Sequence, residues 1–256
     1  MTTPGNLPRM LVAGFEAHAR VYAERLKQLE DASLNEIDGM LAQCQHPYVA
    51  LSGGKDSMLM LYLVRQIKPD IECIWVDEWD TPDTWALLDW VEREWGNKVW
   101  RVRHKYHPEF FARYGEHPVL NQPCRIDWHL EHYGDLPPLG FDGVFVGMRR
   151  DESKKRDWAL RHQKTQYLKY RQILRCAPLG DWRLYDAWAY TIAKGLPVHP
   201  AYARQLEMGI PLERARVGGL TIIRLIDLGT GAKHKYVDPA EWQAMLIANP
   251  CMRRDS

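Results

Sequence analysis

Ser52-Gly53-Gly54-Lys55-Asp56-Ser57 stands between the apolar run Tyr48-Val49-Ala50-Leu51 and an amphipathic run over residues 58–67. The pattern predicts a strand, a tight glycine turn and the opening of a helix, an order that aims backbone N–H groups and the positive end of a helix dipole at one point. A phosphate or pyrophosphate suits that point. Gly53 and Gly54 permit the turn and a close approach to the backbone, Ser52 and Ser57 offer hydroxyl donors, and Lys55 adds charge. The spacing fits neither G-x-x-x-x-G-K-[ST] nor G-x-G-x-x-G.

Around this turn the chain alternates strand-like and helical patterns. Strands are expected at 48–51, 71–76, 99–102 and 144–146, with helices over 57–66 and 82–95 between them. Such alternation predicts parallel strands joined by crossover helices, an open, doubly wound, mostly parallel α/β sheet whose ligands bind beyond the carboxyl ends of the strands. Residues 11–29 carry apolar side chains at helical spacing, and Ser33 with Glu36 reads as the capping box of a second short helix. This N-terminal helical segment, 1–45, is expected to pack on the sheet or on a second copy in a homodimer. A nucleotide-binding α/β domain follows over 46–205, then a C-terminal extension over 206–256. In the helix 82–95, Trp85, Leu88, Val91 and Trp95 fall on one face and are read as core. A charged helical pattern runs from 153 to about 174, and a further helix over 184–194 ends at Gly195. The tail offers a strand at 220–225 and a helix opened by Asp238-Pro239-Ala240-Glu241.

Composition narrows the class. The 256 residues carry a net charge of +1, so nothing global calls for nucleic acid or an anionic membrane, although a local basic patch is compatible with it. Cys44, Cys73, Cys124, Cys176 and Cys251 are scattered and contain no C-x-x-C, which fits reduced, intracellular thiols. No apolar run is long enough to span a bilayer and the N-terminus lacks a signal-peptide layout, so a soluble cytoplasmic protein is expected.

Three stretches carry a resemblance. Ser52 to Ser57 is similar to the S-G-G-x-D-S loop of PP-loop ATP pyrophosphatases and phosphoadenosine-phosphosulfate (PAPS) reductases. Gly147-Met148-Arg149-Arg150-Asp151-Glu152-Ser153-Lys154-Lys155-Arg156 resembles that family's G-x-R-x-x-E-S-x-x-R at each named position. Pro178-Leu179-Gly180-Asp181-Trp182, Asp186-Ala187-Trp188-Ala189-Tyr190 and the run from Gly195 to Tyr202 resemble its P-L-x-D-W, D-V-W-x-Y-I and L-P-x-x-P-L-Y-D segments, and are read as packing markers. His199 in that run reads as structural. A weaker match, Asp77-Glu78-Trp79-Asp80-Thr81-Pro82-Asp83-Thr84 against D-T-G-x-x-x-P-E-T, puts Asp77 at the end of the second strand, facing the same cleft.

The resemblance implies an adenine-nucleotide α-hydrolase-like domain that binds ATP on Ser52, Gly53, Gly54, Lys55, Asp56 and Ser57, with Asp77, Gly147, Arg149, Glu152 and Arg156 completing the nucleotide site. Lys55, Asp56 and Arg149 are the candidate catalytic residues, and Asp56 and Asp77 the candidate Mg²⁺ ligands. Arg149 suits bidentate phosphate or sulfate binding. Glu152 is a candidate helix cap, and Arg156 a candidate i to i+4 partner for it. Expected chemistry is cleavage of ATP between its α and β phosphates, serving an acceptor in sulfur or nitrogen transfer; relatives that help put sulfur into DNA suggest a nucleic-acid-modifying partner complex. The alternatives are a sulfonucleotide reductase and an ATP-binding subunit with little turnover. The reductases' E-C-G-L-H segment is missing: Cys251 has basic neighbours but no matching context. Cys124 stands alone, so no complete iron–sulfur cluster is expected. His104-x-x-His107 and His129-x-x-His132 have zinc-compatible spacing but match no finger, and no metal is expected there.

Overall fold

The computed structural model describes residues 7–77, 82–103, 140–169 and 172–217. A six-stranded sheet has the order β3-β2-β1-β4-β6-β5, made of β1 (Pro47–Ala50), β2 (Glu72–Asp77), β3 (Val99–Arg103), β4 (Gly143–Phe145), β5 (Thr165–Leu168) and β6 (Ile173–Cys176). All neighbours pair in parallel except the edge strand β5, which runs antiparallel to β6. From β1 the chain winds outward through β2 to β3, then returns to place β4 on the other side of β1. The order of winding therefore reverses between β1 and β4, which opens a crevice at their carboxyl ends.

Strand alternation divides the apolar side chains. Val49, Cys73, Trp75 and Phe145 join the larger core, together with Ile37 and Met40 of α2 (Ala23–Leu41), Met58 to Leu61 of α3 (Lys55–Arg65), Leu88 of α4 (Pro82–Trp90) and Trp188 of α6 (Leu184–Ala193). Tyr48, Ile74, Val102, Val144, Leu168 and Ile173 form a second cluster, completed by Phe141 and Trp100. The sheet is thus apolar on both faces, as expected of parallel strands buried on either side. Each fully buried Leu or Met of α3 contributes about 1.5–3 kcal/mol, so α3 holds the turn before it on a firm base.

Several expectations change. The N-terminal segment forms α1 (Arg9–Val21) and the long α2, which break at Tyr22 with φ −107° and ψ 26°; residues 11–29 are not one helix. No helix begins at Ser33. It lies mid-α2, is buried, donates to the Pro178 carbonyl at 2.9 Å and accepts from Trp182 Nε1 at 2.8 Å. A local capping signature here marks a long-range polar anchor, because tertiary partners outbid the local turn. The helix 82–95 is α4 followed by a π-helical turn, Val91–Trp95. Its buried face is Thr84, Leu87, Leu88 and Val91, so Trp85 sits on the flank at 37% exposure, edge-on to Trp75 at 4.6 Å, and Trp95 is only half-buried.

The charged pattern over 153–174 is helical only as far as α5 (Lys154–His162), after which β5 and β6 make a hairpin. Thr165, Tyr167, Ile173 and Leu174 favour strand, and pairing with β4 overrides the helical charge pattern. A short helix α7 (Ala201–Glu207) ends the described body. No described helix is long and apolar enough to cross a membrane. The strand expected at 220–225, the helix from Asp238, the histidine-rich stretch, Cys124 and Cys251 lie outside the described residues.

Candidate nucleotide site

The Ser52–Ser57 turn follows β1 and opens α3, at the crevice where the winding reverses. Gly53 has φ +73°, a conformation that side-chain-bearing residues rarely adopt, and Gly54 is the extended N-cap of α3. Two serines knit the turn. Ser57 Oγ accepts from the Ser52 amide at 3.2 Å and donates to the Gly54 carbonyl at 2.9 Å, while the Ser52 hydroxyl lies 3.2 Å from Ser57 Oγ. Tyr202, buried at the start of α7, accepts from the Lys55 amide at 3.1 Å. The aromatic run that holds Tyr202 predicts packing alone; the one signal of a further role is its hydroxyl.

Gly147 brings the other wall in. A Cβ at this position would lie 2.9 Å from the Asp56 carbonyl carbon and 3.0 Å from the Ser57 nitrogen, so the segment after β4 touches the first turn of α3 directly. Two residues on, Arg149 is only 2% exposed. Its guanidinium pairs with Asp56 and donates through Nε to Asp151 at 3.0 Å, and its amide donates to Glu152 at 2.9 Å. Asp56 also receives the Lys55 ammonium at 2.6 Å, with Lys55 4% exposed. One carboxylate thus bridges two buried cations.

Burial pushes the Asp56 carboxyl up, but Lys55 and Arg149 outweigh it and hold the group below the ordinary carboxylate range. Burial lowers Lys55 against the pull of Asp56. Burial likewise works against the Arg149 charge, yet Asp56, Asp151 and Glu152 raise its pKa and keep it protonated. The cluster has more positive than negative charge within its innermost three side chains, in a setting where water screens poorly.

Glu152 does not cap α5. Ser153 does, its hydroxyl accepting from the Arg156 amide at 3.2 Å, while Glu152 reaches back to the Arg149 amide and pairs with Arg156 one turn on. Asp151, to which the motif assigns no role, accepts from both Arg149 and the Leu184 amide of α6, the latter at 2.6 Å. His199 is buried and structural: its Nδ1 accepts from the Ala201 amide at 3.1 Å, so Nε2 carries the hydrogen and faces Thr84 Oγ1 at 3.0 Å, beneath Gly53. Asp77 occupies the last position of β2, in register with Arg103, and its side chain lies outside the described residues.

Both Asp56 oxygens face cations, and the described residues contain no group of three or more His, Cys, Asp or Glu side chains able to hold a metal. The described residues on their own therefore do not make up a divalent-cation site; Asp77, the other candidate ligand, has its side chain outside them. The described thiols are also poor nucleophiles. Burial pushes Cys44 up to about 11 and Cys176 up to about 12, and drives Cys73 higher still.

A model of the phosphoadenosine phosphosulfate reductase domain matches residues 46–223. The chain belongs to this family. Among curated relatives of this PAPS reductase-domain chain, sulfate adenylyltransferase subunit 2 of Caulobacter vibrioides is 29% identical over 205 residues, covering 69% of this chain and 65% of the relative. The same subunit of Pseudomonas putida is 28% identical over 69% and 66%. The chain therefore spans just under two thirds of the length of these relatives. A crystal structure of PAPS reductase from Candida auris in complex with phosphate superposes with a TM-score of 0.54 at 15% identity, covering 77% of this chain and 94% of the other, a likeness of fold.

Proposed function

We propose that this chain binds ATP with its phosphates on the Ser52–Ser57 turn and catalyses attack at the α-phosphorus, releasing pyrophosphate and forming an adenylylated acceptor or AMP. An acceptor oxygen forms the new bond to the α-phosphorus as the bond to the bridging oxygen breaks, and the electron pair leaves with pyrophosphate. The first amides of α3 and the buried Lys55 and Arg149 cations are fixed before reaction, so they stabilise the departing charge without reorganising. Asp56 holds those cations together, and Gly147 permits the contact of the two loops. Glu152 and Arg156 orient the Arg149 segment. A Mg²⁺ ion arriving with the nucleotide would neutralise phosphate charge, with Asp77 at the end of β2 as its candidate ligand, and no step here depends on it.

The observation that carries this reading is the pair of buried cations at a glycine turn in the crevice between β1 and β4. Relatives named sulfate adenylyltransferase support adenylyl transfer, with an oxyanion such as sulfate as the class of acceptor. Their designation as subunit 2 supports a second polypeptide working beside this one. The raised thiols speak against a cysteine nucleophile within the described residues. Incubation with ATP and Mg²⁺, with and without sulfate, followed by product separation, tests the proposal. AMP or an adenylylated anion with stoichiometric pyrophosphate is expected; ADP with phosphate would overturn it.

A further inference from the structure

Residues 154–169 hold six Lys or Arg and one acid, in a chain whose total charge is +1. Part of that charge is absorbed locally. Arg156 pairs with Glu152, Arg161 with Asp157, and Lys164 with Asp181 and Glu36. Lys154, Lys155 and Lys169 are exposed and form no ion pair among the described residues. Between Lys154 and the next turns of α5 stands Trp158, 74% exposed, with the His162 ring edge-on at 6.4 Å. Lys154, Trp158 and His162 are spaced at i, i+4 and i+8 and share one helix face. Leu160, buried, anchors the opposite side.

A cleft of about 530 Å³ opens at the foot of this helix, with Lys154, Ser153, Arg183 and Arg150 in its wall. Its three acids are already engaged: Asp151 by Arg149, Asp157 by Arg150 and Arg161, Asp181 by Arg150 and Lys164. Arg25 is likewise matched by Asp186. Lys154 and Arg183 are thus the surplus charge of the cleft among the described residues, and both are exposed.

We infer that this surface binds a single-stranded nucleic acid, with backbone phosphates at Lys154, Lys155 and Arg183 and a base stacked on Trp158. An exposed indole beside unpaired lysines matches what a flexible strand offers, a charged backbone and a free π-face. A duplex hides its bases from such a ring. An acidic protein partner would satisfy the lysines, but one indole among charged residues offers little of the contiguous apolar area that the core of a protein interface buries. The inference is independent of the nucleotide chemistry proposed above.

Fluorescence anisotropy with a labelled dT20 or U20 strand, titrated with the full chain between 50 and 300 mM NaCl without ATP, tests it. Binding is expected to weaken linearly in log–log form with salt. Lys154→Ala/Lys155→Ala should reduce the magnitude of that slope by about 1.4, on the basis of roughly 0.7 per phosphate contact for single strands. Trp158→Ala should weaken binding about tenfold or more, Trp158→Phe less, with urea midpoints unchanged in all three. Absence of binding at 50 mM NaCl would overturn the inference, as would equal binding by the variants. So would a duplex of the same length binding as tightly, or displacement by poly-glutamate as effective as by the unlabelled strand, which would point to an acidic protein instead.

Discussion

Replacing Asp56 with Asn tests the charge arrangement at the turn without changing its shape. The wild-type carboxylate sits between Lys55 and Arg149, which are 4% and 2% exposed. Removing the shared anion leaves two buried cations facing one another. Breaking a buried pair in this way costs ~3–5 kcal/mol, a large part of a typical stability of roughly 5–15 kcal/mol. For a chain of this length that corresponds to a fall in Tm of about 6–20 °C, at about 2–4 °C per kcal/mol. A merely structural ion pair would give the same loss, so the decisive measurement is rescue by an anion. If Lys55 and Arg149 receive phosphate oxygens, pyrophosphate supplies the missing negative charge and raises the Tm of Asp56→Asn by more than it raises that of the wild type. At a ligand concentration of 100 Kd the stabilisation is about 2.7 kcal/mol, easily resolved by thermal denaturation across a pyrophosphate titration. An unchanged Tm in Asp56→Asn would refute the energetic argument. Equal pyrophosphate shifts in both proteins would refute the assignment of the two cations to phosphate.

Three further outcomes follow from the same geometry. Gly147→Ala drives a methyl group into the Asp56 and Ser57 backbone, so it should lower stability by about 1–3 kcal/mol and abolish the stabilisation by pyrophosphate seen in thermal melts. Ser33→Ala strips the Pro178 carbonyl and the Trp182 indole of their shared partner and should cost about 2–6 kcal/mol in urea denaturation, at about 1–3 kcal/mol per unsatisfied group. Burial pushes Asp186 up, but hydrogen bonds from Arg25 and His18 leave its carboxyl below the ordinary range. Its contribution is therefore complete above the unfolded carboxylate value, about 3.9, and is lost as pH falls through the lower folded value. Urea midpoints measured from pH 6 to pH 2 should show Asp186→Asn less stable than wild type at pH 6, with the difference shrinking on acidification; a pH-independent difference would contradict the assignment.

What the sequence discloses and what it conceals differ for a physical reason. Ser52 to Ser57 and Gly147 to Arg156 are legible because the backbone turn, the helix start and the charged side chains at each site are encoded within ten residues. The parallel sheet is legible from β1 to β4 through its alternation of strand and helix. Ser33 misleads because its partners, Pro178 and Trp182, are far along the chain, and a capping box reports only neighbours. The β5–β6 hairpin is masked by lysines and arginines whose spacing imitates a helix, while its pairing energy comes from β4. Trp85 misleads because the buried stripe runs through Thr84, Leu87 and Leu88, flanking the indole on either side. In the site itself, Asp151 and Tyr202 escape notice because each acts by accepting a hydrogen bond from a backbone amide in another element, Leu184 or Lys55.

Those accepted bonds explain how an arginine after β4 comes to be fixed against a loop after β1. Arg149 is held through three acids, and each acid is tied to something else: Asp56 to Lys55, Asp151 to the first amide of α6, Glu152 to Arg156 on α5. The first turn of α6 is in turn held by Asp186, which accepts from Arg25 of α2 and the Arg183 amide and lies within hydrogen-bond distance of His18 of α1. The N-terminal helices therefore brace the crevice through two carboxylates, although neither helix contributes a side chain to the turn. Arg25→Ala should loosen the start of α6 and weaken pyrophosphate stabilisation of the chain while sparing the Lys55–Asp56 pair. Unaltered pyrophosphate affinity in Arg25→Ala would mean that Arg149 is positioned by Asp56 and Glu152 alone.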